Sequence, residues 1–123
     1  MLNAAQLYGR SAVTTASPAD LTLMLYNGAI KFCNLGLEAI RNKDILKANT
    51  NIQKAEKIIT ELQNTLNFDY PVAKDYDVVY DSIQRNLLEA NIHKDEEPLQ
   101  AALKDIRDLR DIWVKIMKEK KGA

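Results

Sequence analysis

The chain has 123 residues, and its 17 basic and 17 acidic side chains cancel to a formal net charge of zero. That balance excludes recruitment of nucleic acid or anionic lipid by a global field. The length fits one domain, residues 1–123, built on one core, and a single cysteine, Cys33, excludes an intrachain disulfide. No charged stretch followed by an apolar run opens the chain, and no apolar run approaches the roughly 18 residues of a membrane span. A soluble protein of a reducing cytoplasm, without membrane insertion, is the expectation.

Residues 1–16 form an N-terminal arm. Leu2, Ala5, Leu7, Tyr8, Ala12 and Val13 make it apolar, while Gly9 and the Thr14-Thr15 pair argue against one continuous helix. The first long helix is predicted over 18–41. Ser17 can cap it, Pro18 suits its first position, and Asp20 sets a carboxylate against the positive end of its dipole. Leu21, Met24, Leu25, Phe32 and Leu35 mark one apolar stripe; Leu23, Tyr26, Ile30 and Leu37 mark another. A helix with two stripes is expected to be the most central one, or to present one of them to a partner.

Asn42-Lys43-Asp44 is a tight connection, with Asp44 placed to cap a second helix over 45–66. Ile45, Ala48, Ile52, Ala55, Ile59, Leu62 and Leu66 alternate steps of three and four, the seam of a helix packed at a shallow angle. Asn67 to Pro71 breaks the pattern, and Pro71 can open a third helix, 72–92. There Val72, Tyr76, Val79, Ile83, Leu87 and Ala90 share one side, with Tyr80 and Leu88 off the seam. Asp95-Glu96-Glu97-Pro98 reads as a capped acidic first turn of a fourth helix, 96–120, with Leu99, Leu103, Ile106, Leu109, Trp113 and Ile116 inward. Its last turns carry Lys115, Lys118, Lys120 and Lys121, which complement the negative end of the dipole. Four helices joined by short connections predict an all-α, antiparallel up-down-up-down four-helix bundle with the arm, or a short helix, packed on it.

The side chains supply no catalytic set. His93 is the single histidine, and Glu89 lies four residues before it, so a di-iron pattern, which needs Glu-x-x-His on two helices, is missing. Cys33 sits among Phe32 and Leu35 and reads as a buried thiol. Gly28 and Gly36 do not form a phosphate loop; they allow close approach of a neighbouring helix or a ligand. No catalytic, cofactor-binding or metal-binding residue is expected. What stands out is apolar surface beyond the needs of a minimal seam: Leu23, Tyr26, Ile30, Tyr80 and Leu88, with Leu7, Tyr8 and Val13 of the arm. Either helix one is enclosed and the arm folds over the bundle end, or these residues line a groove for a partner.

Tyr8-x4-Val13-x-Thr15-Ala16-Ser17-Pro18, followed by Leu21-x2-Met24-Leu25-Tyr26-Asn27-Gly28-Ala29-Ile30, resembles the N-terminal signature of the flagellar secretion chaperone FliS family. The similarity continues through Lys54-Ala55-x2-Ile58-Ile59-x-Glu61-Leu62, Ala73, Tyr80-Asp81, Ile83, Leu87-x2-Ala90-Asn91 and Leu109-Arg110-x2-Trp113, in the same order. Asn27, Tyr76, Val79, Ser82 and Gly36 depart from the usual residues and bear on groove shape rather than on the fold. The resemblance implies a cytoplasmic, non-enzymatic export chaperone that binds the C-terminal region of flagellin and prevents its premature polymerisation. It also implies delivery to FlhA, the export gate protein, and an arm whose Tyr8 shields the groove and moves on binding. The competing expectation is a non-catalytic adaptor or scaffold that homodimerises through its extra apolar face.

Overall fold

A computed structural model describes residues 16–122. Four helices run in order: α1 Pro18–Arg41, α2 Ile45–Asn64, α3 Val72–His93 and α4 Glu96–Gly122. Their ends are set by the residues that suggested them. Ser17, extended at φ −70° and ψ 164°, accepts the Asp20 N–H on its hydroxyl at 3.1 Å, and Asp20 reaches back to the Ser17 N–H at 3.3 Å. This capping box satisfies donors that the first turn leaves orphaned. The Ser17 hydroxyl also donates to the Asp20 carboxylate at 2.8 Å, and this bond, with that from the Ser17 N–H, holds the Asp20 carboxyl below its ordinary range. Asp44 caps α2 by accepting the Lys47 N–H at 3.1 Å.

α1 and α3 stop in the same way. Lys43 and Lys94 adopt left-handed backbone, φ 58° and 51°, and the following N–H groups of Asp44 and Asp95 return to Ala39 and Ala90 carbonyls at 2.9 and 3.2 Å. This ending normally favours glycine, because an L side chain at positive φ crowds the backbone. Lys43 is exposed, so Lys43→Gly is expected to stabilise the fold by about 0.5–1 kcal/mol. A thermal melt should rise by roughly 2–5 °C; an unchanged or lower midpoint would show that the turn carries no such strain.

The connections 42–44, 65–71 and 94–95 are short, so consecutive helices run antiparallel. Cross-helix bonds fix the register: Arg41 to Glu96 at 2.6 Å, Trp113 Nε1–H to the Ala19 carbonyl at 3.0 Å, and Asn91 to Asn49 at 2.8 Å. Helix neighbours are α1·α2, α2·α3, α3·α4 and α4·α1, which closes a ring. No helix is enclosed on every side in a ring, but α1, expected to be the most central one, buries the most residues of the four. Its two stripes serve two neighbours. Gly36 permits close approach: a Cβ there would lie 3.2 Å from Ile52 Cγ1 and 3.3 Å from Leu99 Cδ2, and both partners are fully buried.

The core takes Leu25, Phe32, Cys33 and Leu37 from α1, the α2 row Ala48, Ile52, Ala55, Ile59 and Leu62 with Ile58 beside it, Ile83 and Leu87 from α3, and Leu99 to Leu109 of α4. Four seam assignments are corrected; Ile116, read as inward on α4, is 39% exposed. Ile45 and Val72, the first residues of α2 and α3, are 66% and 52% exposed. Tyr80, placed off the seam, is buried, because a helix with two flanking neighbours buries both sides of its inward face. α4 runs two residues past its expected end at 120, and α2 stops at Asn64 instead of residue 66.

Candidate docking cleft

Alternation of direction brings four helix ends together: the starts of α1 and α3 and the finishes of α2 and α4. The connection 65–71 bridges two of them. Thr65 closes α2 by donating its hydroxyl to the Leu62 carbonyl at 2.6 Å, and Asn67 builds a turn through its side-chain oxygen to Asp69 N–H and its carbonyl to Tyr70 N–H. Pro71, at φ −56° and ψ −33°, starts α3 directly. A cleft of about 490 Å³ lies at this end.

Its walls are Thr22 and Tyr26 of α1, Leu62 and Leu66 of the α2 end, Tyr70 of the connection, Val72, Ala73, Tyr76 and Tyr80 of α3, and Trp113 and Ile116 of α4. None of the described lining residues is charged. Four of the five tyrosines and the one tryptophan of the chain stand here. Tyr76 and Tyr80 rings lie 6.5 Å apart at 31°, and Tyr26 and Tyr80 join hydroxyls across the bundle at 2.6 Å. Large amphipathic rings of this kind bury much area and lose little rotamer entropy. Val72, Tyr70 and Ile116 are exposed at the rim, at 52%, 64% and 39%. Beyond Trp113 and Ile116 the surface continues into a smaller trough of about 240 Å³, flanked by Asp20, Lys120 and Lys121.

Against this geometry the expected partner-binding residues divide. Tyr26 and Tyr80 line the cleft. Leu23 is half-buried outside it, Ile30 is packed in the core, and Leu88 is exposed on α3 away from it. Leu7, Tyr8 and Val13 lie outside the described residues, which begin at Ala16, just before the cleft-side start of α1. Sequence reasoning passed over Leu66, Tyr70, Tyr76, Trp113 and Ile116, having read all but Tyr70 as plain seam. The available signal was aromatic clustering: once the helices alternate in direction, Tyr26, Tyr70, Tyr76, Tyr80 and Trp113 all fall at one end.

Elsewhere the chemistry is quiet. Burial pushes the Cys33 thiol up to about 12, so it stays protonated and unreactive. His93 pairs with Glu89 at 3.5 Å, both exposed. Glu61, beside Leu62, has one carboxylate oxygen enclosed without a hydrogen-bond partner, and burial raises its carboxyl above the ordinary range. Among the described residues no group of three or more His, Cys, Asp and Glu is placed to hold a metal, and no helix is long and apolar enough to cross a membrane.

The described residues leave an aromatic cleft at one end of the helical ring, and comparison with known proteins supplies the family. The family model described as "Flagellar protein FliS" matches residues 1–120. The chain belongs to the FliS family. It is 42% identical over 106 residues to the flagellar secretion chaperone FliS of Bacillus subtilis (strain 168), covering 86% of this chain and 80% of that protein. The FliS of Campylobacter jejuni (serotype O:6, strain 81116) is 29% identical over 108 residues, with 86% and 84% covered. The FliS of Vibrio cholerae (El Tor Inaba N16961) is 29% identical over 111 residues, with 89% and 82% covered. The FliS match spans both the helical ring and the residues that precede it, so cleft and arm belong to one family unit.

Proposed function

We propose that this chain is a flagellar secretion chaperone of the cytoplasm, not an enzyme, that holds the C-terminal region of flagellin in the cleft until export. The observation that carries the reading is the cleft: open, uncharged and aromatic-walled, at the end of the bundle where residues 1–15 join. Apolar segments with helical spacing dock in such grooves and lose the surface through which they would otherwise self-associate. The segment orders as it binds, so broad apolar contact must offset that entropy. Family membership supports the client and its delivery to the export gate protein FlhA. It also supports a role for Leu7, Tyr8 and Val13 as a cover that leaves when the client arrives.

Calorimetric titration of the full chain with a synthetic peptide of the flagellin C-terminal region tests the reading. A one-to-one complex with Kd near or below about 1 μM, roughly −8 kcal/mol, is expected. Absence of heat at tens of micromolar chain and peptide would overturn it. Tyr8→Ala is expected to shift Kd several-fold with the melting temperature unchanged, because a cover competes with the client for the same surface.

A further inference from the structure

Two phenols that line the cleft carry more protons than the described residues accept. Tyr26 and Tyr80 are both buried, both line the cleft, and their hydroxyl oxygens lie 2.6 Å apart. Two hydroxyls bring two protons, and one O–H···O bond uses one of them. Neither oxygen has another hydrogen-bond partner among the described residues. Burial raises both phenols above their ordinary range, so both stay protonated at any pH the protein meets and the surplus proton persists. Either hydroxyl can be the donor within the pair, and the one that accepts is the one left with a proton to give. Accepting a hydrogen bond polarises that hydroxyl and makes it a stronger donor.

We propose that the Tyr26–Tyr80 pair is a specificity-determining contact of the cleft. Its unmatched O–H donates to an oxygen acceptor carried by the docked segment at the depth of the pair. This rests on the reading of the cleft as a docking site and names what that site selects. A segment that presents only hydrocarbon there leaves a buried donor unpaired and is disfavoured. A segment that presents a carbonyl or hydroxyl oxygen gains a hydrogen bond in a water-poor setting. The rest of the described lining offers broad apolar contact, which is tolerant of sequence. The phenol pair adds a positional requirement to it.

The test compares the native full chain with Tyr26→Phe, Tyr80→Phe and the double variant, using the flagellin C-terminal peptide in calorimetry and thermal melts alongside. The double variant should bind about tenfold more weakly than native, with most of the loss reproduced by one of the single variants. Its melting temperature should equal or exceed those of the single variants, because removing both hydroxyls leaves no orphan phenol in the free protein. Falling affinity with preserved stability is the signature a purely structural pair would not give. Native-strength binding by the double variant, within twofold, sinks this inference alone. Failure of the native chain to bind sinks the docking reading and this inference together. If the double variant melts below the assay temperature, the single variants decide: a tenfold loss in either supports the proposal, and both within twofold overturn it.

Discussion

Val72→Glu combined with Ile116→Glu is expected to weaken binding of the flagellin C-terminal peptide by two orders of magnitude or more while leaving the bundle intact. Both side chains line the cleft, and both are exposed in the free protein, at 52% and 39%. Substituting them therefore removes little core packing. Val72 is also the first residue of α3, where a carboxylate complements the helix dipole. In the complex the new carboxylates would face the apolar side of the client and lose their water. Each such burial costs about 1.5–3 kcal/mol when the lost apolar contact is included, so two of them amount to a factor of at least ~100. Calorimetry gives the affinity and a circular-dichroism melt verifies the fold. Leu88→Glu is the matched control. It adds one such carboxylate at an exposed position outside the cleft and should leave Kd within twofold. Equal binding by the native chain and the rim variant would place the client elsewhere on the molecule.

Ile30→Glu should instead destroy the fold at neutral pH. Ile30 is 8% exposed and packed among core residues of the ring. Its replacement forfeits about 1.5–3 kcal/mol of apolar burial and leaves a buried carboxylate without a partner, worth roughly 3–5 kcal/mol more. That sum rivals the about 5–15 kcal/mol stability of an ordinary domain. The expected result is a melting temperature lowered by more than 15 °C, or loss of helical ellipticity at 25 °C. The pH dependence has a definite sign. Burial raises the pKa of the new glutamate in the folded state, so folding favours its protonated form. The deficit relative to the native chain is largest above that raised pKa and shrinks as pH falls through it. Melts at pH 7 and pH 4.5 should show the gap narrowing on acidification. A variant as stable as the native chain at pH 7 would mean that position 30 has access to water. Leu88→Glu, with 52% exposure, should stay within about 0.5 kcal/mol of native.

Tyr26, Ile30, Tyr80 and Leu88 show why the helices were legible and the site was only partly so. All four appeared as apolar residues in excess of a single seam. In the ring Ile30 is core, Leu88 is surface, and the two tyrosines are core residues that also line the cleft. A seam drawn through one helix at a time assumes one packing partner. Each helix here has two, so the buried arc is wider than one stripe and absorbs much of the apparent surplus. Trp113 and Tyr76 make the complementary point. Their helical spacing fits the core, and only their position near a helix end, beside other ends, leaves part of each ring facing open space.

The order of residues by itself determined where helices begin and stop, which faces turn inward, and which family the chain resembles. Those properties depend on interactions spanning a few positions: Ser17 with Asp20, Asp44 with Lys47, and apolar rows repeating every three or four residues. The tertiary structure alone decided that the helices close a ring, that Gly36 is where Ile52 and Leu99 come close, and that four helix ends leave an aromatic cleft between them. Those properties join residues up to 94 positions apart, as Trp113 and Ala19 are. No local pattern encodes such a meeting, because it follows from how entire helices pack and from where each one runs out of neighbours.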